Sequence, residues 1–508
     1  MRYWIALLIA IAAPALAQVP DGVDAPLLAP LGGDFQINSF TTDDQDQPAV
    51  AGLPDGGFVV VWRSTGQDGA GRSVHGQLFD GNGATVGDKM VVNTYTTGDQ
   101  NAPTVDLRSD GTFVIAFQSN TTSIRARLFD SSGQPTADDF QVQSDSGELR
   151  HPSVASLADG GFVAIYDEPG TARIYSEAYD ASGSFLDSNI VLDRSTGAVG
   201  MAELAGVNGL EFVLAWQDAS TESPDSDGTG VVLVALDGGG EPFGSEMSAP
   251  AATDDDQSDP SMTGNGGELL VTWVGVDPVD GDNDIYARRF SDDLSPLGGD
   301  QLVTVDVGKV DEQTTPDAAM QSGGYGLVVF EDISAVRGRA ISSGGIPLGT
   351  TDFAVAESQF GTQTTAKAAP VQDGFVAVWS EDNLRDGSGS GIFARRYGFD
   401  TEGDGVADLL DNCPTDANAD QSDLDVDDVG DACDNCPDDA NPDQADGDSD
   451  GSGDVCDLCE GDDATGDADG DDLCADIDCN DNDAGNACAI FSDDFESGDL
   501  SAWSGSAP

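Results

Sequence analysis

The sequence predicts an all-β fold: a seven-bladed β-propeller of four-stranded blades, followed by an irregular segment with no hydrophobic core of its own. Three observations predict it. One motif recurs seven times within about the first 400 residues. Each copy contains short pieces rich in Val, Ile, Phe, Tyr and Trp, separated by Gly-rich turns. All eight Cys lie between Cys413 and Cys488, inside a run of acidic residues.

The chain opens with "MRYWIALLIAIAAPALAQ". Arg2 precedes an apolar run from Trp4 to Ala13, and Ala15-Leu16-Ala17 supplies small residues at a cleavage position. Residues 1–17 therefore read as a secretory signal peptide cut after Ala17, because the run is too short for a membrane anchor. Residues 18–33 read as a linker. An exported protein at the cell surface or beyond it is expected, with no membrane insertion.

The repeat region spans 34–399. Its most regular element is "LPDGGFVVVW", ending at Trp62, with relatives ending at Phe117, Tyr166, Trp216, Trp273, Phe330 and Trp379. The copies are 55, 49, 50, 57, 57 and 49 residues apart. Before it stands a short piece such as "PAVAGL" (Pro48–Leu53), and after it an alternating piece such as "VHGQLFD" (Val74–Asp80). A last piece follows in most copies, for example "FQVQS" (Phe140–Ser144). Four strands per copy fit a propeller blade. The last copy lacks its fourth strand, while an unattached one, "FQINSF" (Phe35–Phe40), precedes the first. A closed ring lets the N-terminal strand complete the last blade and removes the open edges that a solenoid would have to protect.

The repeats resemble the "DGGFVVVW…AQRFD…G" repeats of large secreted bacterial proteins; Asp55-Gly56-Gly57-Phe58 through Trp62 and Gln77-Leu78-Phe79-Asp80 carry the likeness. It bears on fold and export more than on activity. The connection between the second and third strands is long and rich in Asp and Gly in copies one, four, five and seven. In a propeller these connections share one face with the loops that lead to the next blade, which makes that face a candidate ligand platform. In copy five, Asp280, Asp282 and Asp284 alternate as a weak candidate cation site.

Residues 400–488 carry the acids in register. Calcium takes six to eight oxygens, which a short loop supplies from positions 1, 3, 5, 7, 9 and 12, with a backbone carbonyl at 7 and a glycine at 6 for the tight turn. Three windows match. The first is Asp400, Glu402, Asp404, Val406, Asp408 and Asp411, with Gly405 at the turn. The second is Asp423, Asp425, Asp427, Val429, Asp431 and Asp434, with Asp428 where glycine is expected. The third is Asp446, Asp448, Asp450, Ser452, Asp454 and Asp457, with Gly451 at the turn. A fourth, from Asp467 through Asp469 and Asp471 to Asp478, is degenerate because Ala475 holds position 9.

These units also resemble thrombospondin type 3 repeats. The matching residues are Asp411-Asn412-Cys413-Pro414, Asn418 with Gln421, Gly430-Asp431 with Cys433-Asp434, Asn435-Cys436-Pro437, Asn441 with Gln444, and Gly453-Asp454 with Cys456-Asp457. The likeness is close over 400–457 and fades after Cys459. It implies calcium-ordered, disulfide-linked loops with little regular secondary structure, as in extracellular adhesive and matrix proteins. Pairing Cys413 with Cys433 and Cys436 with Cys456, each 20 residues apart, closes two loops. Each closure is worth roughly 3 kcal/mol in the chain-entropy model. Cys459, Cys474, Cys479 and Cys488 admit three pairings. Zinc is the rival for these thiols, disfavoured by export and by the lack of His in the region. Without cations, the 32 acids between Asp400 and Asp483 repel one another and the segment is expected to be extended.

Residues 489–508 form a polar tail with Phe491, Phe495 and Trp503, similar to a short "FESGD.S.W" ending of other exported bacterial proteins. A formal net charge of −75 disfavours nucleic acid as a partner and makes metal cations the natural counter-charge. The two histidines, His75 and His151, have no nucleophile at a motif spacing, and no phosphate loop or hydrolase signature occurs. The expectation is therefore a secreted, calcium-binding, non-catalytic protein of adhesion or matrix type. The propeller is its ligand platform, and the acidic repeats form a calcium-ordered stalk. Extracellular polysaccharide, matrix or a cell-surface protein is the expected partner class. The alternative is a secreted polysaccharide-active propeller enzyme with the calcium module as an accessory.

Overall fold

A computed structural model describes residues 27–457, apart from 70, 145–146, 170, 196–198, 208–210, 221, 226–227, 253–254, 278–280, 305–311, 334, 358–360, 383–384, 448 and 450. The chain divides between Thr401 and Glu402 into two compact units. The first is a seven-bladed β-propeller: seven antiparallel sheets follow one another along the chain, each a four-stranded meander except the last, which gains two N-terminal strands. Among the described residues there is no helix.

The second strand of each blade reads as an unbroken apolar run because both of its faces are covered. In Phe58–Thr65, the side chains of Phe58, Val60 and Trp62 pack with Val376, Val378 and Ile392 of blade seven. Val59 and Val61 point the other way and pack with Phe113, Ile115 and Phe117 of blade two. The alternation of side chains along a strand thus places successive residues in two different cores. Among the described residues seven such clusters occur, one between each pair of neighbouring blades. The cluster joining blades seven and one closes the ring, which a solenoid does not do.

The ring is also closed by hydrogen bonds. Phe35–Gln36 pairs with Phe393 and Ala394 of the last strand, Gly391–Asp400. Asn38 extends the seam: its Oδ1 accepts from the Ile392 N–H at 2.8 Å, while its Nδ2 donates to Gln45 Oε1 at 2.9 Å. Leu27–Pro30, within the stretch read as a linker, pairs with the far end of the same last strand, from Tyr397 to Asp400. That strand is ten residues long, so Phe35–Gln36 alone cannot cover its edge.

Each first strand starts earlier than its apolar piece suggests and contains a bulge. Gln47, Ala102, His151, Met201, Asp259, Thr315 and Thr365 all have φ between 44° and 51°. Each lies where the pairing of first and second strands slips by a residue. Five of the seven precede a proline, and five follow a buried Gln two positions earlier: Gln45, Gln100, Gln257, Gln313 and Gln363. Gln45 and Gln100 show the purpose. Their Oε1 atoms accept from Asn38 and Asn93 of the preceding blade, and their Nε2 atoms donate to loop carbonyls. Turns between third and fourth strands are held by one carboxylate: Asp80 Oδ1 accepts from the N–H groups of Asn82 and Ala84, with Gly83 at φ 81°.

Asn38→Ala is expected to cost about 2–3 kcal/mol in urea unfolding, since it strands the buried Ile392 N–H and the Gln45 carbonyl. Asn93→Ala, which removes the same contacts to Val74 and Gln100 inside the continuous chain, should cost a similar amount. A much smaller effect at Asn38 would mean that the seam contributes little to the ring.

Candidate metal centre

The second unit builds the same frame twice, 23 residues apart. In the first frame Cys413 is bonded to Cys433, and in the second Cys436 is bonded to Cys456, each with a sequence separation of 20. Asp411 Oδ1 accepts from the Cys413 N–H (2.8 Å) and from Gln421 Nε2 (2.7 Å). Asp434 Oδ1 accepts from Cys436 and Gln444 at the same distances. Gln421 Oε1 accepts from the Asn412 N–H at 3.0 Å, and Asn418 Nδ2 donates to Asn412 Oδ1 at 2.7 Å. Gln444, Asn435 and Asn441 repeat those two bonds. Gly430 and Gly453 allow the chain to pass against the disulfides, since an added Cβ would lie 2.7 Å from Cys413 Sγ or Cys436 Sγ. The side-chain amides of Asn412, Asn418, Gln421, Asn435, Asn441 and Gln444 thus hold the loops.

One carboxylate links each loop to the next frame. Asp404 accepts from the N–H of Val406 (2.8 Å) and of Asn418 (2.7 Å). Asp427 accepts from Val429 (2.9 Å) and Asn441 (2.7 Å) in the same way.

Within the second loop the oxygens of Asp423, Asp425 and Asp427 come within 4.8 Å of one another. Asp400 ends the last propeller strand, and Glu402 and Asp404 open the second unit. Asp423 is held by the N–H groups of Val426 (2.7 Å) and Asp428 (3.2 Å). Asp425 is different: both of its oxygens are buried and neither has a hydrogen-bond partner. Burial, then the charges of Asp427, Asp434 and Asp423, push its carboxyl above the usual range. Asp411 Oδ2 is likewise buried without a partner. Asp431 does something the spacing did not reveal. Its Oδ1 accepts from the Leu424 N–H (2.8 Å) and its Oδ2 from Ser422 Oγ (2.5 Å), so it braces the mouth of the loop. Asp454 accepts from Gly447 equivalently, at 2.7 Å.

This donor set fits a hard cation. It is all oxygen, two of those oxygens are orphaned on Asp425, and no Lys or Arg occurs after Arg396 to neutralise them. Asp448, Asp450, Cys459, Cys474, Cys479, Cys488, the fourth window, the expected signal peptide and the tail lie outside the described residues.

The expected turn geometry holds at position 6, where Gly405, Asp428 and Gly451 have φ of 97°, 76° and 103°. Position 4 also lies in the left-handed region: Gly403 at 79°, Val426 at 64° and Ser449 at 66°. The second loop therefore carries two strained residues, one of them β-branched.

In the propeller, a polar cleft of about 520 Å³ opens between blades one and seven, lined by residues that include Asp44, Asp46, Arg63, Thr362, Asp382 and Ser390. It lies on the face of the connections between second and third strands, and Arg63 pairs with Asp46 across 2.5 Å beside it. No motif marks these residues, because they come from both ends of the repeat region. The histidines lie elsewhere. Ser73 Oγ lies 3.3 Å from the Ser64 carbonyl and 2.9 Å from His75 Nε2. Burial, then Lys89, lowers His75 to about 4 and keeps it neutral. His151 Nδ1 bonds the buried Asp167 at 2.6 Å.

No protein-family model and no curated protein matches the chain. Solved structures similar to it include a protein of unknown function from Dyadobacter fermentans DSM 18053. That likeness has 11% identity and a TM-score of 0.44, covering 73% of this chain and 99% of that one. A polysaccharide lyase, Uly1, is similar at 10% identity and a TM-score of 0.43, over 74% of this chain and 100% of that one. The β-propeller domain of the Trilobed protease from Pyrococcus furiosus gives 10% and 0.42, over 71% and 94%. At such values these likenesses carry no argument about activity.

Val426→Gly is expected to stabilise the second loop by about 0.5–1 kcal/mol, strain relief exceeding the extra chain entropy. Slower hydrogen exchange at the amides of Asp427 and Asp428 reads it; faster exchange would show that the backbone there is unstrained. Asp428→Gly should act in the same direction.

Proposed function

We propose that this is an exported, calcium-binding, non-catalytic protein of adhesive or matrix type. Its propeller presents a ligand face, and its acidic repeats, of thrombospondin type 3 kind, are ordered by calcium. The observation that carries the reading is Asp425, whose two orphaned oxygens sit among Asp423, Asp427 and Asp434 in a unit without a base. A buried, unpaired carboxylate is costly, and the least costly remedy in this setting is a cation. Bound calcium would supply the missing positive charge and tie the loop to the frame around it.

The residues have divided roles in this reading. Asp423, Asp425 and Asp427 are the ligands in the second loop, with the Val429 carbonyl and Asp434 completing the set. Asp431 closes the mouth of the loop, and the Asn412, Asn418 and Gln421 amides fix the frame. The two disulfides support it, since they persist in oxidising compartments. So does the apolar N-terminal segment with its small-residue cleavage position. Among the described residues no helix is long and apolar enough to cross a membrane. The polar cleft between blades one and seven offers carboxylates, hydroxyls and a guanidinium, groups suited to a hydroxyl-rich ligand such as an extracellular polysaccharide.

Extracellular calcium modules bind at about 10⁻⁴–10⁻³ M, so ordering should follow export into calcium-rich surroundings. The protein is expected to bind polysaccharide or cell-surface preparations in millimolar calcium, to lose that binding in EDTA and to regain it on recalcification. Asp425→Asn should weaken it. Binding that is indifferent to EDTA would refute the calcium-dependent adhesive role.

A further inference from the structure

The fifth blade contains an acidic group that none of these roles uses. Of the alternating acids in that copy, Asp282 and Asp284 are described and Asp280 is not. Asp282 is only 7% exposed, yet both of its carboxylate oxygens are buried without a hydrogen bond. Asp284 is 2% exposed; its Oδ1 accepts from Thr304 Oγ1 at 2.6 Å, and its Oδ2 has no partner. The Asp277 carboxyl lies within hydrogen-bonding reach of Asp284. The backbone brings the three together: the Asp277 N–H donates to the Asp282 carbonyl at 2.8 Å.

Blades four and seven solve the same problem with a base. Asp284 sits opposite Gly275 where the third strand enters the blade. At that register blades four and seven place the acid on the second strand instead, as Asp218 opposite Gly230 and Glu381 opposite Gly391. Arg194 meets Asp218 at 2.8 Å, and Arg385 lies 3.8 Å from Glu381. Trp216 and Trp379 also donate their indole N–H groups to those acids. In blade three Glu168 holds that register and accepts from the hydroxyls of Thr171 and Tyr175. In blade five the second-strand position is Gly275, and a side chain there would meet the Tyr286 ring at 3.0 Å. The acid has moved across to Asp284, Asp282 has joined it, and among the described residues no Lys or Arg pairs with either. Two carboxylates buried this deeply, with three oxygens unsatisfied, need positive charge.

We propose that Asp277, Asp282 and Asp284 form a site for a divalent, oxygen-seeking cation in the fifth blade, independent of the acidic repeats. The cation pins the connection between the second and third strands on the propeller's candidate ligand face. Calcium and its luminescent analogue terbium are the probes.

The site has a spectroscopic signature of its own. Trp273 stacks on Tyr286, with ring centroids 6.3 Å apart, directly beside the pairing of Gly275 with Asp284. The stretch from Glu402 to Asp457 contains no aromatic residue. Terbium in the fifth blade should therefore show tryptophan-sensitised emission. In the full chain, Asp282→Asn is expected to abolish that saturable emission, whereas Asp425→Asn keeps it. A second readout separates ligation from packing. In EDTA, Asp282→Asn should melt above the wild type, because it removes a buried unpaired charge. In calcium the order should reverse, because it removes a ligand. Full emission from Asp282→Asn, or an equal loss of melting temperature in both solutions, would overturn the site. Failure here leaves the acidic repeats untouched, and loss of their binding through Asp425→Asn leaves this site intact.

Discussion

The chain must fold with 94 acidic residues and only 19 basic ones, and its structure depends on how that imbalance is managed. Surface carboxylates can be left to water, but buried ones cannot. The propeller assigns its few bases to buried acids: Arg125 to Asp139, Arg194 to Asp218, Lys367 to Asp317 and His151 to Asp167. Elsewhere backbone N–H groups do the work, as at Asp80 and the turns like it. The second unit has no base; amides, hydroxyls and N–H groups bond Asp404, Asp411, Asp423, Asp427, Asp431, Asp434 and Asp454, and Asp425 is left unsatisfied. Both proposed cation sites are places where this internal supply runs out.

The two units meet the need for cohesion differently. The propeller relies on seven apolar clusters, each made by two neighbouring sheets, so that no blade is stable alone and the ring is the cooperative unit. Its closure depends on a short N-terminal stretch crossing a sequence distance of more than 350 residues, with Asn38 bonding Ile392. Among the described residues of the second unit, Ala407, Cys413 and Cys436 are the buried apolar side chains. Disulfides and a side-chain amide frame limit its chain entropy, and charge neutralisation completes the ordering.

Much of this was legible in the sequence. The seven copies and the missing fourth strand pointed to a closed propeller, because a strand covered on both faces is apolar throughout and turn residues punctuate it. The pairing of Cys413 with Cys433 and of Cys436 with Cys456 followed the repeat resemblance. The left-handed turn at position 6 was visible as Gly405 and Gly451, and Asp428 adopts it at a cost in strain. Other features were hidden. In four of the seven blades the bulge of the first strand is written as Gln-x-x-Pro, a polar signal outside the apolar pattern, so the first strand of blade one starts at Gln45, three residues before the apolar piece from Pro48. Leu27–Pro30 is too short and too close to the apolar N-terminal run to stand out as a strand. Spacing alone could not separate Asp425, which is orphaned, from Asp431, which braces the loop; that depends on which backbone N–H each oxygen meets. Asp277 joined Asp282 and Asp284 through loop closure, which no period encodes.

The central claim is that cations supply the charge balance of the acidic repeats. Calcium titration of the purified full-length protein by calorimetry, with small-angle scattering in parallel, tests it most directly. The account predicts saturable uptake of several ions at about 10⁻⁴–10⁻³ M, accompanied by compaction. Absence of saturable heat, with a scattering profile unchanged between EDTA and millimolar calcium, would contradict it and reduce the acidic segment to a disulfide-linked polyanion.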